Sequence, residues 1–215
     1  MALFYQHNIN ATTRLGIWHI EEPEAFFLQK VPLQRTITHP KKRLQHLAAR
    51  WLLQALFPDF PYNEILIADT RKPYLPGEQY HFSVSHCGNY AAAIVSSTHR
   101  VGLDIELVSP KIGAIAHKFL NATDVEYMQA FCETGYNYNH LLAFMWSAKE
   151  TLFKWYSLGG IDFKEHLKLN GLPQQIPGGQ LTMPFVFAKQ NITPVTITTQ
   201  LFYTGQPLSL AWCAT

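Results

Sequence analysis

The elements legible in this sequence are those of an α+β fold. Two segments carry clear helical periodicity, several short runs read as strands, and the last third reads as an antiparallel meander of three β-branched runs parted by Pro and Gly. At 215 residues, 47% of them hydrophobic and 13% aromatic, the chain can bury one generous core or two small ones fused tightly. Disorder is not expected from that composition.

Taken in order, Thr13 to Ile20 reads as a strand. Pro40 to Phe57 reads as a helix, because Leu44, Leu47, Ala48, Trp51, Leu52, Ala55 and Leu56 recur at threes and fours. Pro40 suits its first turn and Pro58 stops it. Asp69 to Gly77 is rich in turn residues. Tyr80 to Ser85 and Tyr90 to Ser97 read as strands. Ser97 to Arg100 then reads as a turn into a strand from Val101 to Val108, making a hairpin. The polar stretch from Ser109 to Tyr138 is expected to hold a helix around Asp124 to Cys132. His140 to Leu158 is the second strong helix, with Gly159 and Gly160 as its C-terminal stop. The strands Leu181 to Ala188, Thr193 to Tyr203 and Leu208 to Ala214 close the chain.

Composition excludes several classes. A net charge of +2 makes no bulk electrostatic case for nucleic acid or membrane. No apolar run approaches the roughly 18–20 residues a membrane helix needs. Met1 to Ile20 lacks the basic and apolar regions of a signal peptide. The three cysteines, Cys87, Cys132 and Cys213, are odd in number and far apart, which argues against a disulfide framework or a zinc site. The expectation is a soluble, cytoplasmic monomer.

Two features carry chemistry. Asp104 and Glu106 sit two apart in an apolar strand, so both point to one face, roughly 6.5–7 Å apart along the chain. Leu103, Ile105 and Leu107 point to the other. Glu150 and Lys154 sit four apart on a helix that Leu142, Met145, Trp146, Leu152, Phe153, Trp155 and Tyr156 make apolar around most of its circumference, so the charged pair is expected to be half-buried and partnered. Three carboxylates converging with one lysine suit a hard divalent cation, most simply magnesium, with phosphate oxygens completing its shell. A solvated acidic surface is the other reading. Lys41, Lys42, Arg43 and Arg50 fall within ten residues. Cations at a helix start oppose the helix dipole, which fits either a bound anion or a solvated basic face.

These residues also form ordered motifs. Gly102-Leu103-Asp104-Ile105-Glu106 and, about forty residues on, Trp146-Ser147-Ala148-Lys149-Glu150-Thr151-Leu152-Phe153-Lys154 resemble two signature motifs of the 4′-phosphopantetheinyl transferases. Lys72-Pro73 with Phe82-Ser83-Val84-Ser85-His86 resembles a third, and Lys42-Arg43 with Leu47-Ala48-Ala49-Arg50 a weaker fourth. The length resembles the single-chain, surfactin-type branch. Ser83 stands where the family has Asn, Cys87 where it has Ser or Thr, and Thr151 where it has Ala or Ser. The C-terminal third matches no motif.

The resemblance implies an α+β fold of two similar subdomains, 1–98 and 99–215, each a small antiparallel sheet packed with helices, with the coenzyme site at their junction. It implies transfer of the phosphopantetheine arm of coenzyme A to a serine of an apo acyl or peptidyl carrier protein, releasing adenosine 3′,5′-bisphosphate. Asp104, Glu106 and Glu150 would hold magnesium, or manganese in its place, with Glu106 sharing least directly. Glu150 would also take the serine proton, and Lys154 would neutralise or protonate the leaving phosphate. Lys149, on a neighbouring face, would assist or be structural. Arg43, Arg50, Lys72, Ser85 and His86 would contact coenzyme A, a structural ion pair being an equal expectation for Arg50. Lys41 and Lys42 could instead meet an acidic carrier helix. His46, His81 and His140 have no motif support. The rivals are a magnesium nuclease, disfavoured because no lysine follows Glu106, and a non-catalytic homologue that binds coenzyme A or a carrier protein.

Overall fold

The structure is a computed structural model that describes residues 3–215. It is α+β, with antiparallel sheets packed against helices. The chain divides into two compact units, one running up to Leu103 and taking Ala214, the other running from Asp104 to Cys213 and taking Thr215.

The first unit begins with a hairpin of β1 (Leu3–Asn10) and β2 (Thr13–His19), the first of which the sequence reading did not find. A short helix α1 (Glu24–Leu28) precedes the long helix α2 (Pro40–Leu56). After a single 3₁₀ turn at Tyr62–Glu64 come a two-residue ribbon of β3 (Leu66–Ile67) and β4 (Pro73–Tyr74), then β5 (His81–Cys87) and β6 (Tyr90–Ser96). The main sheet runs β1-β2-β6-β5. Its core gathers Trp18 of β2, Phe82 of β5 and Ala91, Ala93 and Val95 of β6 with Leu47, Leu52, Leu53 and Leu56 of α2, all buried. Gly16 of β2 is required by this approach. A Cβ there would meet Leu52 Cδ1 and Leu56 Cδ2 at 3.4 Å and Tyr5 O at 3.3 Å.

Strand β7 (Val101–Leu107) corrects the sequence reading. The turn after β6 does not close a hairpin. Both edges of β6 are taken, by β2 and β5, and β7 pairs with the last strand of the chain instead. The partner of a strand is decided by which edges are open, which four turn residues do not reveal.

The second unit contains α3 (Pro110–Phe119), α4 (Ala122–Cys132) and α5 (Tyr138–Tyr156), then β8 (Leu167–Leu169), β9 (Gln174–Ile176), β10 (Gln180–Ala188), β11 (Ile192–Phe202) and β12 (Leu208–Ala214). The closing meander is as expected, with sheet order β7-β12-β11-β10-β8 and β9 added on β10. Helix α3 was not expected as a separate helix. Helix α5 starts earlier than expected, and its left-handed C-terminal residue is Ser157 (φ 75°), not a glycine. The Ser157 hydroxyl donates to the Lys154 and Trp155 carbonyls, at 3.1 Å each, satisfying acceptors that the helix end leaves open. The core gathers Phe119, Met128, Phe144, Met145, Leu152, Leu167, Met183, Phe185 and Ile197. Among the described residues no helix is long and apolar enough to cross a membrane. No disulfide joins Cys87, Cys132 or Cys213 among the described residues.

Candidate functional site

The alternation of β7 sends Leu103 and Ile105 into apolar packing and Asp104 and Glu106 to the opposite face, as the two-residue period demands. Asp104 is only 5% exposed, a costly position for a carboxylate without a partner. Lys154 supplies one: its Nζ donates to Asp104 Oδ1 at 2.7 Å. Glu106 is half-buried, and its Oε1 accepts from the Leu107 amide at 3.2 Å. The indole of Trp146 also hydrogen-bonds the Glu106 carboxylate.

Glu150 and Lys154 lie one turn apart on α5, and the second reaches across to the strand. Burial, and then the charges of Asp104 and Glu106, push the Glu150 carboxyl up to about 7 against the pull of Lys154. Glu106 is raised in the same way, first by burial and then by Asp104. Asp104 and Glu106 of β7 thus both act on Glu150 of α5. Among the described residues no group of three or more His, Cys, Asp or Glu side chains is arranged as a ready metal cage. Magnesium does not require one. It is commonly held by one or two carboxylates with waters and substrate phosphates, and a set of hard oxygens whose charges repel one another suits it.

Two departures from the motifs have structural reasons. Thr151 is fully buried, and its hydroxyl donates to the Ala211 carbonyl of β12 at 3.1 Å. Beside it on α5, Ser147 accepts from Ser209 of β12 at 3.2 Å. Thr151 thus ties α5 to its sheet, which Ala could not do. Ser83 of β5 is buried, and its hydroxyl accepts from the Leu103 amide at 3.2 Å. Nothing in the structure explains Cys87.

Lys149 proves structural, and its partner was missed by sequence reasoning. It is fully buried and paired with the equally buried Asp124. Asp124 resembles an ordinary first-turn helix acid and does complete a capping box with Asn121, which is the only local signal it gives.

The remaining candidates belong to the first unit. Arg43 and Arg50, seven apart, share a face of α2. Arg43 is held by the Glu24 carboxylate, Nε to Oε1 at 2.8 Å, and by the Ile37 carbonyl at 2.9 Å. With Leu33, Gln34, Arg35, Thr36 and Ile37 it lines an open pocket of about 440 Å³. Arg50 differs: it is 5% exposed, and its Nη1 has no hydrogen-bond partner. Burial pulls its pKa down to about 10, Arg35 adding to the fall and Tyr62 opposing it. His46 is lowered to about 4, first by burial and then by Arg50, Arg35 and His86. The charges acting on it are all positive. The structure therefore draws Arg35 and His46, which no motif marked, into a basic cluster with Arg50 and His86. The signal was the spacing of His46, one turn before Arg50. Ser85 is buried and His86 exposed on β5, and Lys72 is half-buried in the loop before β4.

Residues 100–190, which carry Asp104, Glu106, Glu150 and Lys154, match the 4′-phosphopantetheinyl transferase superfamily. Over that segment the chain is similar to this superfamily. Across 115 residues it is also 31% identical to enterobactin synthase component D of Escherichia coli K12, of Escherichia coli O157:H7 and of Shigella flexneri, the alignment covering 53% of this chain and 54% of each relative. The chain thus spans about half the length of the curated relatives it matches. Arg43, Arg50, Lys72, Ser85 and His86 lie outside the segment that matches the superfamily.

Proposed function

We propose that this chain transfers the 4′-phosphopantetheine arm of coenzyme A to a serine of an apo acyl or peptidyl carrier protein, with magnesium, releasing adenosine 3′,5′-bisphosphate. The observation that carries the reading is the pairing of Asp104 of β7 with Lys154 of α5, beside a Glu150 carboxyl that Asp104 and Glu106 both push upward, within a segment that matches the transferase superfamily.

In the reaction the serine oxygen forms a bond to the pyrophosphate phosphorus nearest the pantetheine arm, and the bond to adenosine 3′,5′-bisphosphate breaks. Asp104, Glu106 and Glu150 would hold magnesium, which when bound supplies Lewis-acid stabilisation of the phosphoryl oxygens. Glu150 accepts the serine proton, directly or through a water. In the metal-free fold, burial and the charges of Asp104 and Glu106 raise that carboxyl to about 7, and a bound divalent cation would favour the charged form that can accept a proton. Lys154 neutralises charge on the leaving phosphate. In the first unit, Arg50 is a buried cation whose Nη1 has no hydrogen-bond partner among the described residues, which supports anion recognition there. Arg43, Lys72, Ser85 and His86 extend the contacts to the coenzyme phosphates and adenine. Nothing in the chain marks it for nucleic acid or a membrane, and its setting is cytoplasmic.

The test is intact-protein mass spectrometry of apo fatty-acid, polyketide and peptide carrier proteins after incubation with the chain, coenzyme A and magnesium. Gain of one phosphopantetheine arm is expected. Glu150→Gln and Asp104→Asn are each expected to slow the transfer by about 10²-fold or more. No gain on any carrier overturns the function, and near-normal turnover by both variants overturns the site.

A further inference from the structure

Helix α5 has a problem that its apolar packing does not solve. From Leu141 to Leu152 most of its residues are buried, around nearly the whole circumference. Apolar contacts are non-directional, so an all-round apolar helix is poorly specified in rotation and in axial register. A slip of one residue turns the helix by about 100° and moves it by about 1.5 Å. Either change would carry Glu150 away from Asp104 and Glu106.

Lys149, the residue before Glu150, meets a fixed set of acceptors. Its ammonium has three protons and three partners: Asp124 Oδ2 at 2.5 Å, the Phe119 carbonyl that ends α3 at 2.7 Å, and the Phe163 carbonyl at 2.9 Å. Asp124 is held in turn. Its Oδ2 accepts from the Asn121 amide at 3.1 Å and its Oδ1 from the Leu169 amide of β8 at 2.9 Å. Neither side chain of the pair is exposed at all. A buried pair of this kind is weak evidence for stability, since apolar residues of similar volume can often replace it without loss, and setting register is the best-attested use of buried polar groups. Because Asp124 and two carbonyls consume the Lys149 charge and donors, Lys149 has nothing left for a phosphate.

We infer that Asp124 and Lys149 are positioning residues, a buried polar lock that sets the rotation and register of α5 and thereby aims Glu150 and Lys154 at Asp104 and Glu106. The inference rests on the proposed function for its kinetic consequence, but its structural consequence stands independently. Trp146 reports it: its indole N–H hydrogen-bonds Glu106, and its ring lies 5.0 Å from that of Phe119 and 5.9 Å from that of Phe163, centroid to centroid.

The decisive variant is the double substitution Asp124→Leu/Lys149→Met, which removes the pair without leaving a lone buried charge. The single substitutions Asp124→Leu and Lys149→Met should each melt well below wild type, and the double variant close to it. At a temperature where circular dichroism shows the double variant fully folded, its kcat should fall by about 10²-fold, the cost of a misplacement of about 1 Å, with KM for coenzyme A within about twofold of wild type. The Trp146 indole ¹H–¹⁵N resonance, assigned with Trp146→Phe, should move. Wild-type kcat, or an unmoved indole resonance, would overturn the inference and leave the pair a packing element. Should the double variant not fold, Asp124→Asn, which keeps the shape and weakens the hold on Lys149, is read the same way and against the same criteria. If the wild-type chain transfers nothing, the proposed function fails and the indole resonance alone decides the lock.

Discussion

Glu150 bears opposite demands with and without metal. Burial and two neighbouring acids raise its carboxyl from an ordinary 4.5 to about 7 in the metal-free fold. Between those pH values the native protein keeps a proton that the unfolded chain has released, so stability falls as pH rises through that window and levels off above it. Metal-free wild type is therefore expected to lose melting temperature from pH about 4.5 to about 7, and Glu150→Gln to lose less. Magnesium at pH about 8 should raise the wild-type midpoint, and a chelator should reverse the gain. Parallel pH curves for the two proteins would refute the assignment. Arg50 shows the same conflict in cationic form. Arg50→Met should leave the melting temperature unchanged or raise it, because a buried guanidinium with an unused donor is costly, while weakening coenzyme A binding by about 10- to 100-fold, as loss of a charge-assisted hydrogen bond implies. Calorimetric titration and thermal melts check the two halves. Asp104, Glu106, Glu150 and Lys154 were legible because spacings of two on a strand and four on a helix are local geometry. Asp124 was not, because its partner Lys149 is 25 residues away and the residue reads as a helix cap.

Among the elements, α5 and α2 were readable from periodicity, and β10 to β12 from β-branched runs between Gly and Pro. Helix α3 escaped because Gly113, Ala114 and Ala116 dilute its apolar period, leaving Ile112 and Phe119 as its buried anchors. The stop of α5 was assigned to glycine on propensity, whereas Ser157 serves by supplying a hydroxyl to the last carbonyls. On the side of α5 that faces the sheet, Ser147 and Thr151, one turn apart, are both bonded to β12. Thr151→Val keeps the shape and removes the donor to Ala211. It should cost about 1–3 kcal/mol, as burial of an unsatisfied carbonyl does, measured by urea denaturation with an unchanged m-value. Thr151→Ser should restore most of it. No loss in the valine variant would mean that the Ala211 carbonyl is satisfied without Thr151.

For the whole molecule, the two units have separate hydrophobic clusters, one around α2 and its four-stranded sheet and one around α5 and the closing meander. Leu52, fully buried in the first, is a test of that division. Leu52→Ala should cost about 2–5 kcal/mol, and native-state hydrogen exchange should show protection lost in β2, α2, β5 and β6 more than in β10 and β11. Equal loss in both sets would show one cooperative core. The α+β class, the long helices, the closing meander and the acidic and basic motifs were all written in the order of residues, because hydrophobic period and short spacings are properties of a few consecutive positions. The pairing of β7 with β12 rather than β6, the lock between Lys149 and Asp124, and the basic cluster of Arg35, His46, Arg50 and His86 were not. Each joins residues distant in the chain, and which of them meet depends on which strand edges and helix faces are already occupied. Spacing shows that a charge needs a partner; the packed chain shows which residue that partner is.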